Sequence, residues 1–194
     1  YGIFTIIVLG ESFVKVLDEA SGQRLDLWSY VFSVFGIAVV SGLWWLYFDD
    51  IVEQAIKGIR GTYIWVYSHL PLAVGLTAFG VAAKKVFIQP TFEPLADKYR
   101  LLYSVSVILA LVFIAFIDLV TERHDQTIDN RHRAYWRLAA ALVVLLIAVF
   151  GSSLSPILFI VIMAIIFSIQ IVVDLPKRDE DMPEPHEHMH IHPD

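Results

Sequence analysis

Glu11, His69 and the acidic pair Asp49-Asp50 are the residues of this sequence whose types and setting could do chemistry. Glu11 stands within the run Phe4-Thr-Ile-Ile-Val-Leu-Gly-Glu-Ser12. In a bilayer, Ile3, Phe4, Ile6, Ile7, Val8 and Leu9 each favour insertion by roughly 0.3–0.6 kcal/mol, whereas one ionised acid near the helix centre opposes it by about 2.5–3.5 kcal/mol. The two contributions nearly cancel, so Glu11 needs a partner, a wet cavity or a proton. If Glu11 and His69 converge between two helices, with Ser12 adding a hydroxyl, the group has the makings of a proton relay or a coupled-ion site. Glu11 and His69 with one of the aspartates, Asp49 or Asp50, would instead form a hard-oxygen and imidazole set suited to a metal ion.

Each group also has a simpler reading. Glu11 precedes Lys15 by four residues, the favourable order for a same-face ion pair on a helix, and Lys15 is placed to reach the interface. His69 stands two residues before Pro71 in Trp65-Val-Tyr-Ser-His-Leu-Pro71. Proline within a helix removes a backbone donor and frees a carbonyl near residue 67, where an imidazole could simply bond a neighbouring helix. The sequence leaves both readings open.

The elements that must position these groups are transmembrane helices. A helix crossing about 30 Å of hydrocarbon needs roughly 20 mostly apolar residues. Six segments meet or approach that length, at about residues 1–16, 27–48, 62–82, 101–120, 134–150 and 155–173. The predicted fold is therefore an all-α, polytopic transmembrane helix bundle of about six spans. Ser29, Ser33, Gly36, Ser41 and Gly42 in the second segment predict a close helix contact, and Trp44-Trp-Leu-Tyr-Phe48 predicts an aromatic belt at the headgroup level. Residues 49–61 have the apolar spacing of a short amphipathic surface helix. Ser104, Leu111 and Asp118 share one face of the fourth segment, with Asp118 expected as a solvated acid at the interface. The fifth and sixth segments, joined by Gly151-Ser-Ser-Leu-Ser-Pro156, are antiparallel neighbours expected to hold little chemistry.

Composition agrees. Of 194 residues 57% are hydrophobic and 18% charged, with a mean hydropathy of +0.66, against about 45–50% and 25% for a soluble domain. There is no cysteine, which removes disulfides and thiolate metal or redox chemistry. No basic stripe supports a nucleic-acid partner. Hydrolase, Walker and dinucleotide motifs are absent, and nothing names a cofactor. After residue 175 the chain turns acidic and His-rich over residues 176–194, predicting a disordered tail appended to a membrane domain of residues 1–175. His186, His188, His190 and His192 alternate there and could hold Zn, Ni or Cu. Opening in mid-hydrophobic run without Met, the chain reads as a carboxyl-terminal part, with its own amino-terminal half as a partner beside the lipid bilayer. Counting basic residues on the two sides of six spans gives eight against six, placing the tail in the cytoplasm under the positive-inside rule.

Three runs taken in order, Phe4-Thr-Ile-Ile-Val-Leu-Gly-Glu-Ser12, Trp44-Trp-Leu-Tyr-Phe-Asp49 and Tyr67-Ser-His-Leu-Pro-Leu72, resemble the carboxyl-terminal half of the bacterial low temperature requirement protein A family. The resemblance implies a multi-pass protein of the bacterial inner membrane. It carries Glu11, Asp49 and His69 over as motif positions without giving them a role. The expected activity is transporter-like, with Glu11, Ser12, Asp49 and His69 as a polar, proton-coupled site. The alternatives are a membrane-embedded enzyme acting on a lipid substrate and a non-catalytic scaffold.

Overall fold

The computed structural model describes residues 2–22, 27–48, 55–122 and 130–175. Six helices run through them: α1 (Gly2–Gly22), α2 (Leu27–Phe48), α3 (Gly58–Phe87), α4 (Asp97–Val120), α5 (Asn130–Phe150) and α6 (Pro156–Asp174). Helices α2 to α6 are long and apolar enough to cross a membrane. In α1 the apolar part is the shorter stretch Gly2–Glu11, because Lys15, Asp18 and Glu19 interrupt the remainder. The predicted bundle is thus present, with the first helix less apolar than the other five.

Helix α4 is the centre of the bundle and packs against both α3 and α5, while α2 lies against α6 and α1 against α3. Its inward face carries Tyr103, Val107, Leu111 and Ile114 into a core shared with Leu43 and Leu46 of α2, Leu72, Leu76 and Phe79 of α3, Val144 of α5, and Phe159, Met163 and Phe167 of α6. In lipid there is little hydrophobic drive between helices, so close approach depends on small residues. A Cβ added at Gly42 would lie 2.8 Å from Cβ of Phe167, and one at Gly75 would lie 3.1 Å from the Ser106 carbonyl and 3.2 Å from the Ala110 nitrogen. The expected contact of the second segment is therefore made with α6. Gly36 and Gly42 are buried, whereas Ser41 is exposed and Ser33 turns its hydroxyl back to the Ser29 carbonyl at 2.7 Å. On α5, alanines 134, 140, 141 and 148 face inward, and Leu142, Val143, Leu145, Leu146 and Val149 face outward.

Alternation of the helices sets the start of α1, α3 and α5 and the end of α2, α4 and α6 at one end of the bundle. A two-residue antiparallel clasp closes that end: β1 (Ala55–Ile56) pairs with β2 (Thr121–Glu122), Ala55 opposite Glu122 and Ile56 opposite Thr121. Lys57 N–H extends it to the Val120 carbonyl at 2.9 Å, and Asn130 Nδ2 at the start of α5 donates to the Thr121 carbonyl at 2.6 Å. This corrects the expected surface helix for residues 55–61: the clasp takes the first two, and α3 begins at Gly58, whose φ of +59° makes the turn between them. Backbone hydrogen bonding to Thr121 and Val120 outweighs the local apolar spacing. At the opposite end Leu95 N–H reaches the Leu154 carbonyl at 2.8 Å, and Arg100 Nε donates to the Ala148 carbonyl at 3.1 Å.

Candidate functional site

Two polar groupings occupy the clasp end. The first centres on His69, one of the residues singled out from sequence. It is buried on α3, where its Nδ1 donates to the Trp65 carbonyl at 2.6 Å. In a neutral imidazole this bond leaves the lone pair on Nε2, the atom that would receive a proton. The ring lies against Trp65, with centroids 4.3 Å apart, and edge-to-face with Tyr47 of α2 at 6.0 Å. Thr5 of α1, also buried, approaches the Tyr47 hydroxyl. One helix from each of three segments thus contributes to the grouping.

The other expected members are placed differently. Glu11 lies six residues beyond Thr5, about 9 Å further along α1, on its exposed face. Ser12 follows it within the same helix. Asp49 and the tail histidines His186, His188, His190 and His192 fall outside the described residues, as does the whole stretch 176–194. Among the described residues no three His, Asp or Glu side chains are grouped as a metal ion would require.

The second grouping joins α4, α5 and α6. Asp118, Arg133, Arg137 and Asp174 are each 4% exposed or less. Arg137 bridges the two acids: Nη1 pairs with Oδ2 of Asp118, and Nη2 reaches Oδ2 of Asp174 at 3.1 Å. Arg133, one turn earlier on α5, sends Nη2 to the Asp174 carbonyl at 3.1 Å and sets Nε 3.9 Å from Oδ1 of the same residue. Gln170, one turn before Asp174, donates to the Trp136 carbonyl at 3.3 Å. Two acids and two guanidiniums give the cluster zero formal charge.

Its placement has an electrostatic logic. Both acids stand in the last turn of their own helices, where the macrodipole is negative, and both arginines stand within the first two turns of α5, where it is positive. Each is misplaced on its own helix and well placed beside its neighbour, because α5 runs antiparallel to α4 and α6. The cluster therefore favours one mutual arrangement of three helices.

This overturns one expectation. Asp118 is 2% exposed and paired, not a solvated interfacial acid, because Arg137 comes down to it from the adjacent helix. Helices α5 and α6 supply three of the four charges. A signal was available in the sequence: Arg137 falls inside the segment read as a span from Ala134, and an arginine within a span calls for an acid on a neighbour. The pair of basic residues four apart, Arg133 and Arg137, marks one face of α5 for that purpose.

A bridging guanidinium between two carboxylates can exchange partners. Protonation of either acid would leave Arg137 paired with the other, and the cluster would then hold two guanidiniums against one carboxylate, a net charge of +1. Movement of Arg137 between Asp118 and Asp174 would alter how α4 and α6 are held to α5.

No curated protein and no solved structure matches the chain. The family model described as Bacterial low temperature requirement A protein (LtrA) matches residues 1–171. That match takes in all three sequence runs, the His69 grouping and Asp118, Arg133 and Arg137 of the second, ending three residues before Asp174, and the chain, a multi-pass helical membrane protein, belongs to the LtrA family.

Proposed function

We propose that this chain is transporter-like, and that its working centre is the buried cluster of Asp118, Arg133, Arg137 and Asp174, coupled to protons. The observation that carries the reading is the sharing of Arg137 between two carboxylates on different helices, all of them buried. Buried charges in membrane helices mark ion or proton pathways more often than they serve as simple glue. His69, with Tyr47 and Thr5 at the same end, is a second proton-exchanging position, and Glu11 adds a carboxylate further along α1. In this reading residues 1–175 act as one domain of the bacterial inner membrane, and the eight-to-six basic bias sets the cluster and the following tail on the cytoplasmic side.

The test is proton flux in proteoliposomes of the full chain, followed by an enclosed pH-sensitive dye under imposed ion gradients. Wild type should show gradient-dependent proton movement, with Asp118→Asn reducing it severely and His69→Phe reducing it in part. Equal flux in wild type and Asp118→Asn, with both proteins folded by circular dichroism, would defeat the proposal. A scaffold role would then be left, and the cluster would be a staple between helices.

A further inference from the structure

The outer surface of α3 carries a trough that faces lipid. A cavity of about 440 Å³ lies between this helix and Phe4 of α1, lined on the α3 side from Leu70 to Val81. Ala73 and Ala78 are half-buried within it, Leu70, Val74 and Val81 are exposed, and Thr77 turns its hydroxyl back to the Ala73 carbonyl at 2.8 Å. The lining is therefore apolar throughout. Leu70 and Val81 stand 11 positions apart, about 16 Å along a helix, and the hydrocarbon of one leaflet is half of about 30 Å. The trough matches one leaflet in length.

Its far end is basic. Lys84 and Lys85, in the last turn of α3, follow Val81 by three and four residues and so straddle its line on the helix surface. Lys84 has a partner within the protein. Lys85 is half-buried and makes no ion pair among the described residues. Aromatic contacts fix the depth of this turn. Phe87 meets Phe32 of α2 with ring centroids 4.8 Å apart, and beyond it Phe92 meets Trp28 at 4.9 Å. Trp28 and Phe92 are exposed, as aromatic residues are at the headgroup level. The trough thus runs through the leaflet opposite the clasp and ends where phosphates lie, within reach of an ammonium on its four-carbon stem.

We infer that this trough binds one anionic phospholipid of the leaflet opposite the clasp, with an acyl chain lying from Leu70 to Val81 and the phosphate held by Lys85. Length and charge both select this occupant, and the trough is continuous with the lipid-facing surface of a spanning helix. A second copy related by a two-fold axis along the membrane normal would instead bring the same lysines of both copies together. One lysine at the membrane surface favours an anionic over a zwitterionic lipid by roughly fivefold. The site lies on the outside of α3, apart from the buried cluster, and does not depend on the transport reading.

The experiment is photolabelling of the full chain in phosphatidylcholine nanodiscs. Phosphatidylglycerol and phosphatidylcholine, each with a diazirine on one acyl chain, are compared at equal concentration, and the labelled positions are mapped by mass spectrometry. The phosphatidylglycerol probe should label residues 70–81 about fivefold more than the phosphatidylcholine probe, and Lys85→Gln should bring the two to equality. Thr77→Phe, a change at an exposed position that fills the trough, should remove labelling of this segment by both probes while the other lipid-facing helices stay labelled. If Lys85→Gln does not fold, the wild-type chain still decides: unlabelled phosphatidylglycerol should suppress labelling of residues 70–81, and further phosphatidylcholine should not. Equal labelling by the two probes in wild type overturns the inference, as does a preference for phosphatidylglycerol that survives Lys85→Gln. A dimer in the nanodisc with residues 70–81 unlabelled assigns the trough to a second copy and overturns it equally.

Discussion

Arg137→Gln should be the most damaging single change in the bundle. The guanidinium bridges Asp118 and Asp174 from a position 1% exposed. Removing one partner of a buried pair destabilises by about 3–5 kcal/mol, because the remaining charge is left in a medium that cannot solvate it. Here two acids lose the same partner, and each stands in the last turn of its own helix, which adds about 0.3–1 kcal/mol apiece. Asp118→Asn is milder, about 1.5–3 kcal/mol for the charge-assisted bond, since Arg137 retains Asp174. The double variant Asp118→Asn with Arg137→Gln should recover about 1–3 kcal/mol relative to the sum of the two, the coupling expected of residues in contact. Reversible unfolding in mixed micelles with added dodecyl sulfate, followed by circular dichroism, measures all three. If Arg137→Gln costs less than about 1 kcal/mol, as a solvated pair would, or if the two changes add without coupling, the cluster is not the buried network described above.

Further expectations concern both function and fold. Replacing the whole cluster by apolar residues, Asp118→Leu, Arg133→Met, Arg137→Met and Asp174→Leu, should leave stability unchanged or raised by about 1–4 kcal/mol while abolishing proton flux; retained flux in that variant would assign the cluster a purely structural role. Gly42→Leu should loosen α2 from α6, since even a Cβ there comes within 2.8 Å of Phe167; a loss of about 1–3 kcal/mol in the same micelle assay is expected. Gly58→Ala meets no neighbour within 4 Å but inherits a φ of +59°, so it should cost about 1–2 kcal/mol from backbone strain alone, and Gly58→Asn should cost less. Asn130→Ala removes the 2.6 Å bond to the Thr121 carbonyl and should speed amide exchange of the clasp residues 55–57 selectively, a change readable by mass spectrometry.

The legibility of this chain divides at the scale of the single helix. Runs such as Leu27–Phe48 and Pro156–Asp174 were evident because membrane insertion depends on summed side-chain transfer energies, a local property. The same local reasoning singled out His69 as a polar group on an apolar span, and the structure buries it against Trp65 and Tyr47. It failed for Asp118, which has Leu-Val-Thr-Glu-Arg after it and looks solvated from its own neighbours alone. It failed also for residues 55–61, whose apolar spacing fits a surface helix until the strand partner at Thr121–Glu122 is known.

The sequence by itself determined the class of the protein, the approximate bounds of the six helices among the described residues, the family resemblance and the polar character of the first three helices. Only the tertiary structure decided that α5 lies against α4 and which of its residues face α4 and α6, and hence that Arg137 reaches Asp118, 19 positions earlier, and Asp174, 37 positions later. Insertion is additive along the chain and can be summed from residue types. Pairing of charges depends on which helix faces meet, and that is fixed by the small-residue contacts at Gly42 and Gly75 and by the alanine face of α5, none of which names its partner in advance.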